Sequence, residues 1–257
     1  MPKNNTSSVE FPIRYSRSMK LLKMGMESRW MFELAAHYGS GLWLRNMPKG
    51  DGHPVIVFPG FLTSSFSTRP LRRFLANLGY DVYDWSFGRN LRYSETLDTE
   101  MQAMVERIFI ESGQKVSLVG WSLGGVFARE IARAKPEMVR NVISLGSPIT
   151  GTKHVTLAGP IYELLNGELE PEVQKKVDGM RVPPPVPNSV IYSRTDGVVH
   201  WHGAKQLEGE MSENICVAAS HLGMGSNPLV LRIIADRLLQ ARDTWVPYKA
   251  KRVRKIP

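Results

Sequence analysis

The stretch Lys115-Val-Ser-Leu-Val-Gly-Trp-Ser-Leu-Gly-Gly-Val-Phe-Ala-Arg-Glu-Ile-Ala-Arg133 decides how this chain reads. Lys115 to Val119 carries Val116, Leu118 and Val119, the composition of a buried strand. Leu123 to Ala134 repeats apolar residues at helical spacing and is closed by Pro136, so it predicts a helix. Between them lies Gly120-Trp121-Ser122-Leu123-Gly124, a G-x-S-x-G pentapeptide. Alone it is weak, because glycine and serine are common here. A strand before it and a helix after it change its meaning. Gly120 and Gly124 allow a tight turn and close helix–strand packing. Such a turn leaves Ser122 exposed at the carboxyl end of a strand.

Outward from this stretch the chain alternates. Strands are expected at Val55–Phe58, Asp81–Trp85, Val142–Leu145, Ser189–Ser193 and Ile215–Ala219. Helices are expected at Arg69–Leu78, Thr96–Ser112 and Pro228–Ala241, the last with Asn227 as its N-cap. Strand–helix alternation predicts an α/β fold with a mostly parallel sheet and helices on both faces. Residues 152–187 interrupt the rhythm, being longer than an ordinary connection. They hold an apolar piece, Leu157–Leu165, and the stiff run Pro183-Pro-Pro-Val-Pro187. Two readings stand: a small lid or cap insertion, or a crossover helix with a long loop. The domain division is a basic N-terminal helical segment (1–50), a core (51–246) containing that insertion, and a basic tail (247–257).

The chain has 257 residues, enough for one large domain with a real core. A single cysteine excludes a disulfide framework and any multi-cysteine metal site within the chain. No cofactor or metal motif is present. Cys216 sits in an apolar strand and reads as a buried structural thiol. No apolar run reaches membrane-spanning length, and residues 1–20 lack a continuous apolar signal core, which points to the cytoplasm. Net charge is +9, with five basic residues in the last nine. No nucleic-acid motif accompanies them, so nucleic acid is not the expected partner. Ser18–His37 combines Leu21, Leu22, Met24, Trp30, Met31 and Leu34 with Lys20, Lys23 and Arg29. It either packs on its own domain or makes peripheral contact with an anionic membrane. The sequence does not specify an oligomeric state.

A serine hydroxyl needs a base to take its proton. For a serine on a strand–turn–helix of this kind, the acid and then the histidine follow it in the chain. His221 stands just after the strand Ile215–Ala219, where a base can reach the nucleophile. Asp196 follows the strand Ser189–Ser193 and is the best-placed acid; its bland reading is a turn aspartate before Gly197. His53 precedes the first core strand and lies at the opposite edge of the sheet. His200 and His202 read as loop histidines. An oxyanion hole needs two backbone donors. Leu123 supplies one, and the loop Pro59–Ser65 the other, with Phe61 first and Leu62 second.

With these pieces the chain resembles the α/β-hydrolase superfamily, and within it the bacterial lipase and esterase group. The matching pieces are Val57–Phe61, Gly120–Gly125, Leu145–Pro148 with Gly151-Thr152, Ser193–Val199 and Ser220-His221. The resemblance implies nucleophile Ser122, acid Asp196, base His221 and oxyanion amides at Phe61 and Leu123. Two positions depart from the pattern: Pro59 where the family usually has His, and Ile149 where it often has His. The usual strands before the first core strand are absent from the pattern, so a reduced sheet is expected. Leu62, Trp85 and Trp121 are expected to line an apolar substrate pocket. The expected activity is a serine esterase acting on small or lipid-like neutral esters. An acyltransferase using the same triad is the alternative, and a non-catalytic binding module on the same fold is a third reading.

Overall fold

Six strands form one parallel sheet in the order β2-β1-β3-β4-β5-β6: β1 Pro54–Phe58, β2 Asp81–Tyr83, β3 Val116–Trp121, β4 Val139–Leu145, β5 Asn188–Ser193 and β6 Ser212–Val217. The structure is a computed structural model that describes residues 17–150, 156–166, 179–240 and 245–249. β1, β3 and β5 are buried along their whole length, as parallel strands covered on both faces must be. Strand alternation sorts their side chains into two layers. Val55 and Val57 pack with Leu71, Leu75, Leu231 and Ile234. Ile56 and Phe58 pack with Val105, Ile108, Phe127 and Ile131 on the other face.

The first layer is closed by α4 (Arg69–Asn77) and α8 (Pro228–Leu238). The second is closed by α5 (Glu95–Ser112) and α6 (Leu123–Ala134). Asn227 caps α8 as its sequence predicts, its Oδ1 accepting from the amides of Leu229 and Val230. Three short helices precede β1: α1 (Arg17–Met26), α2 (Trp30–Gly39) and α3 (Gly41–Arg45), with a 3₁₀ turn at Glu27–Arg29 joining the first two. Among the described residues no strand precedes β1.

From β1 the chain first turns outward to β2, then crosses back to β3 on the other side. That reversal opens a crevice beyond the carboxyl ends of β1 and β3, the usual binding position in an open α/β sheet. Of the 152–187 insertion, residues 156–166 and 179–187 are described. Thr156 pairs with Val199, and α7 (Gly159–Asn166) follows. The returning segment is held by Arg129 of α6, a fully buried guanidinium that donates to Gln206 Oε1, Met180 O and Val182 O. Burial pulls that guanidinium down to about 9. Cys216 corrects the sequence reading. β6 is an edge strand, and Cys216 lies on its exposed side between buried Ile215 and Val217.

Candidate active site

Ser122 sits at the junction of β3 and α6 with φ 54° and ψ −121°, a region that L side chains rarely occupy. Local packing enforces it. Ser122 N–H donates to Leu145 O of β4 (2.8 Å), and Gly125 N–H donates back to Ser122 O (3.0 Å). A Cβ at Gly120 would lie 2.3 Å from Gly124 O, so the turn closes only with glycine there. Ser122 is half-buried rather than sealed.

Asp196 follows β5 and His221 follows β6. Their side chains meet, His221 Nδ1 to Asp196 Oδ2, at 2.8 Å. The other carboxylate oxygen of Asp196 accepts from the amides of Val198 (2.8 Å) and Val199 (2.7 Å), which fixes the acid's rotamer. Both side chains are buried. Burial pulls the His221 imidazole down, but the Asp196 carboxylate, and Glu27 behind it, carry it above its ordinary value of 6.5. Two contacts bring this pair to the Ser122 turn. Trp121, next to Ser122, donates its indole Nε1–H to His221 O (3.0 Å). Gly146, next to the Leu145 that bonds Ser122, has φ 55°, and a Cβ there would lie 3.0 Å from Asp196 Oδ2 and 3.1 Å from His221 Nδ1.

The loop after β1 faces the same place. A Cβ on Gly60 would stand 3.3 Å from Ser122 Cβ. Sequence reading named Phe61 and Leu62 as candidate donors. The structure removes Leu62, whose amide donates to Asn90 O (2.8 Å) in a backbone held at φ 64°. Asn90 is the residue that sequence reading missed. It is fully buried, its amide donates to Thr63 O, and its Nδ2 donates to Pro59 O, both at 2.8 Å. One asparagine therefore staples both sides of the loop that presents Phe61. Tyr162 of α7 packs its ring 5.3 Å from that of Phe61, while Leu157 N–H donates to Val198 O. The insertion thus reaches from the acid's loop to the Phe61 loop.

A family model described as palmitoyl protein thioesterase matches residues 54–186, just over half of the chain. The chain belongs to the palmitoyl protein thioesterase family. It is also 30% identical over 95 residues to a pimeloyl-[acyl-carrier protein] methyl ester esterase of Yersinia enterocolitica, and 27% identical over 99 residues to that of Shewanella woodyi. Those matches cover 36% and 38% of this chain, and only 36% and 37% of the esterases' own length. Among solved structures, an Aspergillus fumigatus lipase superposes with a TM-score of 0.58 at 19% identity, over 74% of this chain and 53% of the lipase. A Paleococcus ferrophilus monoacylglycerol lipase gives 0.55 at 15% identity, over 75% and 96%. At such identities the likeness is one of fold, and the fold is the α/β-hydrolase fold.

Two residues of this family member lie outside the matched region and hold the site from behind. Glu27, in the 3₁₀ turn, is 6% exposed. Its Oε1 accepts from Gly197 N (2.7 Å) and His221 N (3.0 Å), and its Oε2 from Leu222 N (2.9 Å). Glu33 of α2 accepts from Ser220 N (2.9 Å), the Ser220 hydroxyl and Asn227 Nδ2 (3.1 Å). Arg29 adds bonds to the Thr195 carbonyl and hydroxyl, both 3.1 Å. The loops bearing Asp196 and His221 are thus clamped to each other through the N-terminal helices. No side-chain motif in the sequence announces bonds to backbone amides.

Two expected pocket residues are elsewhere. Trp85 is 2% exposed, donates to Gly88 O and stacks on Phe127, so it belongs to the core of the α5–α6 layer. Trp121 is also buried, and it supports the His221 loop rather than lining a pocket. Leu62, in the loop after β1, and Leu222, next to His221, are both near half exposed. A second Ser–His–Asp string exists at the amino ends of the strands: Ser117 Oγ to His53 Nε2 (2.7 Å), and His53 Nδ1 to Asp51. Ser117 and His53 are completely buried, so no substrate meets them.

Proposed function

We propose that this chain hydrolyses neutral carboxylic esters, or the corresponding thioesters, through an acyl-enzyme on Ser122. The observation that carries this reading is the meeting of the His221–Asp196 pair with the strained Ser122 turn around Gly146. Ser122 Oγ attacks the acyl carbon while His221 Nε2 takes the hydroxyl proton. Asp196 accepts from His221 Nδ1–H, sets the tautomer and stabilises the imidazolium. The oxyanion is received by the amides of Leu123, at the N-terminus of α6, and Phe61. His221 then protonates the leaving alcohol or thiol. A water deprotonated by the same nitrogen attacks the acyl-enzyme and releases the carboxylic acid and free Ser122. The family's name supports a long-chain acyl thioester as one substrate class, and the apolar rim of Leu62 and Leu222 suits such a chain.

The test is turnover of p-nitrophenyl esters of increasing acyl length and of a palmitoyl thioester, by wild type and Ser122→Ala. Fluorophosphonate labelling and peptide mapping accompany it. Hydrolysis by wild type, its loss in the variant and label on Ser122 are the expected results. No label and no turnover overturn the reading. An added alcohol that captures the acyl group in place of water marks the acyltransferase instead.

A further inference from the structure

The helix α2, Trp-Met-Phe-Glu-Leu-Ala-Ala-His-Tyr-Gly from Trp30 to Gly39, is apolar nearly all round, yet none of its residues is buried. A helix of that composition normally has protein or lipid on every face. Its one carboxylate, Glu33, is turned inward to Ser220 and Asn227. Trp30, Met31, Phe32 and Tyr38 are exposed around the rest of the helix, with Phe32 76% exposed. Leu22 and Met24 of α1 and Leu42 of α3 extend the surface at both ends, each more than 60% exposed. A contiguous apolar face of this kind marks an interaction site.

Charge identifies the occupant. Residues 17–49 contain Arg17, Lys20, Lys23, Arg29, Arg45 and Lys49 against only two acids, Glu27 and Glu33. Both acids are spent on backbone amides of the catalytic loops. Lys23 and Arg29 are likewise turned to the Asp196 and Thr195 carbonyls, but the segment keeps a net positive charge, and Arg45 and Lys49 are exposed, which complements an anionic lipid surface. Trp30, Tyr38 and Trp43 have the amphipathic rings that settle at headgroup depth. No helix among the described residues is long and apolar enough to cross a membrane, so the mode is one of lying in the interface.

We infer that the exposed face of α2, with the flanking ends of α1 and α3, docks this protein on the surface of an anionic bilayer. The docked face adjoins the site. Glu27, at the start of the α1–α2 turn, bonds the amide of Leu222, which is 47% exposed and follows His221. Delivery of an acyl chain from the bilayer to that loop rests on the function proposed above, whereas docking does not.

The experiment is co-sedimentation of the full chain with vesicles of phosphatidylcholine alone and of phosphatidylcholine mixed equally with phosphatidylglycerol, at low and high salt. Wild type and the double variant Met31→Ser, Phe32→Ser are compared, with thermal melts to verify that both fold. Wild type binds the anionic vesicles, high salt weakens binding, and the double variant binds roughly tenfold or more weakly. The Ser122→Ala chain binds like wild type, which separates a failure of docking from a failure of the catalytic reading. Absence of wild-type binding to anionic vesicles overturns the inference. Equal binding by the double variant places the contact elsewhere, the basic C-terminal residues being common to both, and also overturns it. So does a dimer seen by light scattering without lipid that dissociates in the double variant, since the face would then be covered by a second copy.

Discussion

The carboxylate of Glu27 accepts the backbone amide of His221 at 3.0 Å across 194 residues of sequence. The same oxygen accepts Gly197 N, one residue past Asp196, so a single atom fixes the spacing between the acid's loop and the base's loop. A charge at this position also acts on the imidazole without touching it: it is one of the influences that raise His221.

Glu27→Gln keeps an acceptor oxygen and removes the charge. In the mechanism proposed above His221 is the general base and must be neutral to act, so activity is lost as pH falls through its raised pKa. Removing Glu27's charge lowers that pKa and moves the acid limb of kcat/KM to lower pH, with modest loss at the plateau. Glu27→Ala removes the acceptors of three amides, costs about 3 kcal/mol or more of stability, and lowers kcat. A Gln variant whose acid limb coincides with that of wild type would show that Glu27 acts only as a prop.

Ser122→Gly tests the strain directly. At φ 54° and ψ −121° glycine is at ease where serine is not. The variant should be more stable than wild type by about 1 kcal/mol, and catalytically dead by about 10³-fold or more. Chemical denaturation of Ser122→Gly beside Ser122→Ala separates the backbone effect from loss of the hydroxyl.

Asn90→Ala frees Pro59 O while the two backbone bonds of residue 90 survive. The loop presenting Phe61 should loosen, at a stability cost of about 1–3 kcal/mol. If the Phe61 amide is the oxyanion donor proposed above, it acts in the transition state, so kcat should fall about tenfold or more with little change in KM. A pure KM effect would assign the loop to substrate binding alone.

His53 predicts acid sensitivity. Burial holds its imidazole below the ordinary 6.5, against the opposing pull of Asp51. As pH drops below 6.5, the unfolded chain takes up a proton that the folded chain refuses, so stability declines on acidification. His53→Gln is less stable than wild type near neutrality, having lost the paired imidazole, but its melting temperature falls less between neutral pH and pH about 5. Parallel slopes in the two proteins would locate the acid-sensitive group elsewhere.

The strands, the helices and the parallel sheet they imply were legible because their signals are local: apolar runs, glycine stops, Pro136, the Asn227 cap; the order of the strands was not, because it is set by crossovers between distant segments. The proximity of Asp196 to His221 was legible for a related reason, since both follow parallel strands that end at the same edge. Exposure was harder to read. Trp85 and Trp121 stand at strand ends near the crevice, but the face each ring takes is settled by packing, and both turn into the body of the protein. Cys216 was misjudged because its strand's place at the sheet edge is a property of topology rather than composition. Glu27, Glu33 and Asn90 were illegible because their chief partners are amides and carbonyls, which every residue carries.

A latch made of main-chain amides limits how relatives of this protein can be compared. A contact between two side chains leaves a trace when one changes and the other compensates. Glu27 answers to main-chain amides, and no substitution at residues 197, 221 or 222, short of proline, alters what those amides offer. Pairwise covariation should therefore be silent about the latch that holds the loops of Asp196 and His221. A family profile drawn over residues 54–186 omits Glu27, Asp196 and His221 together.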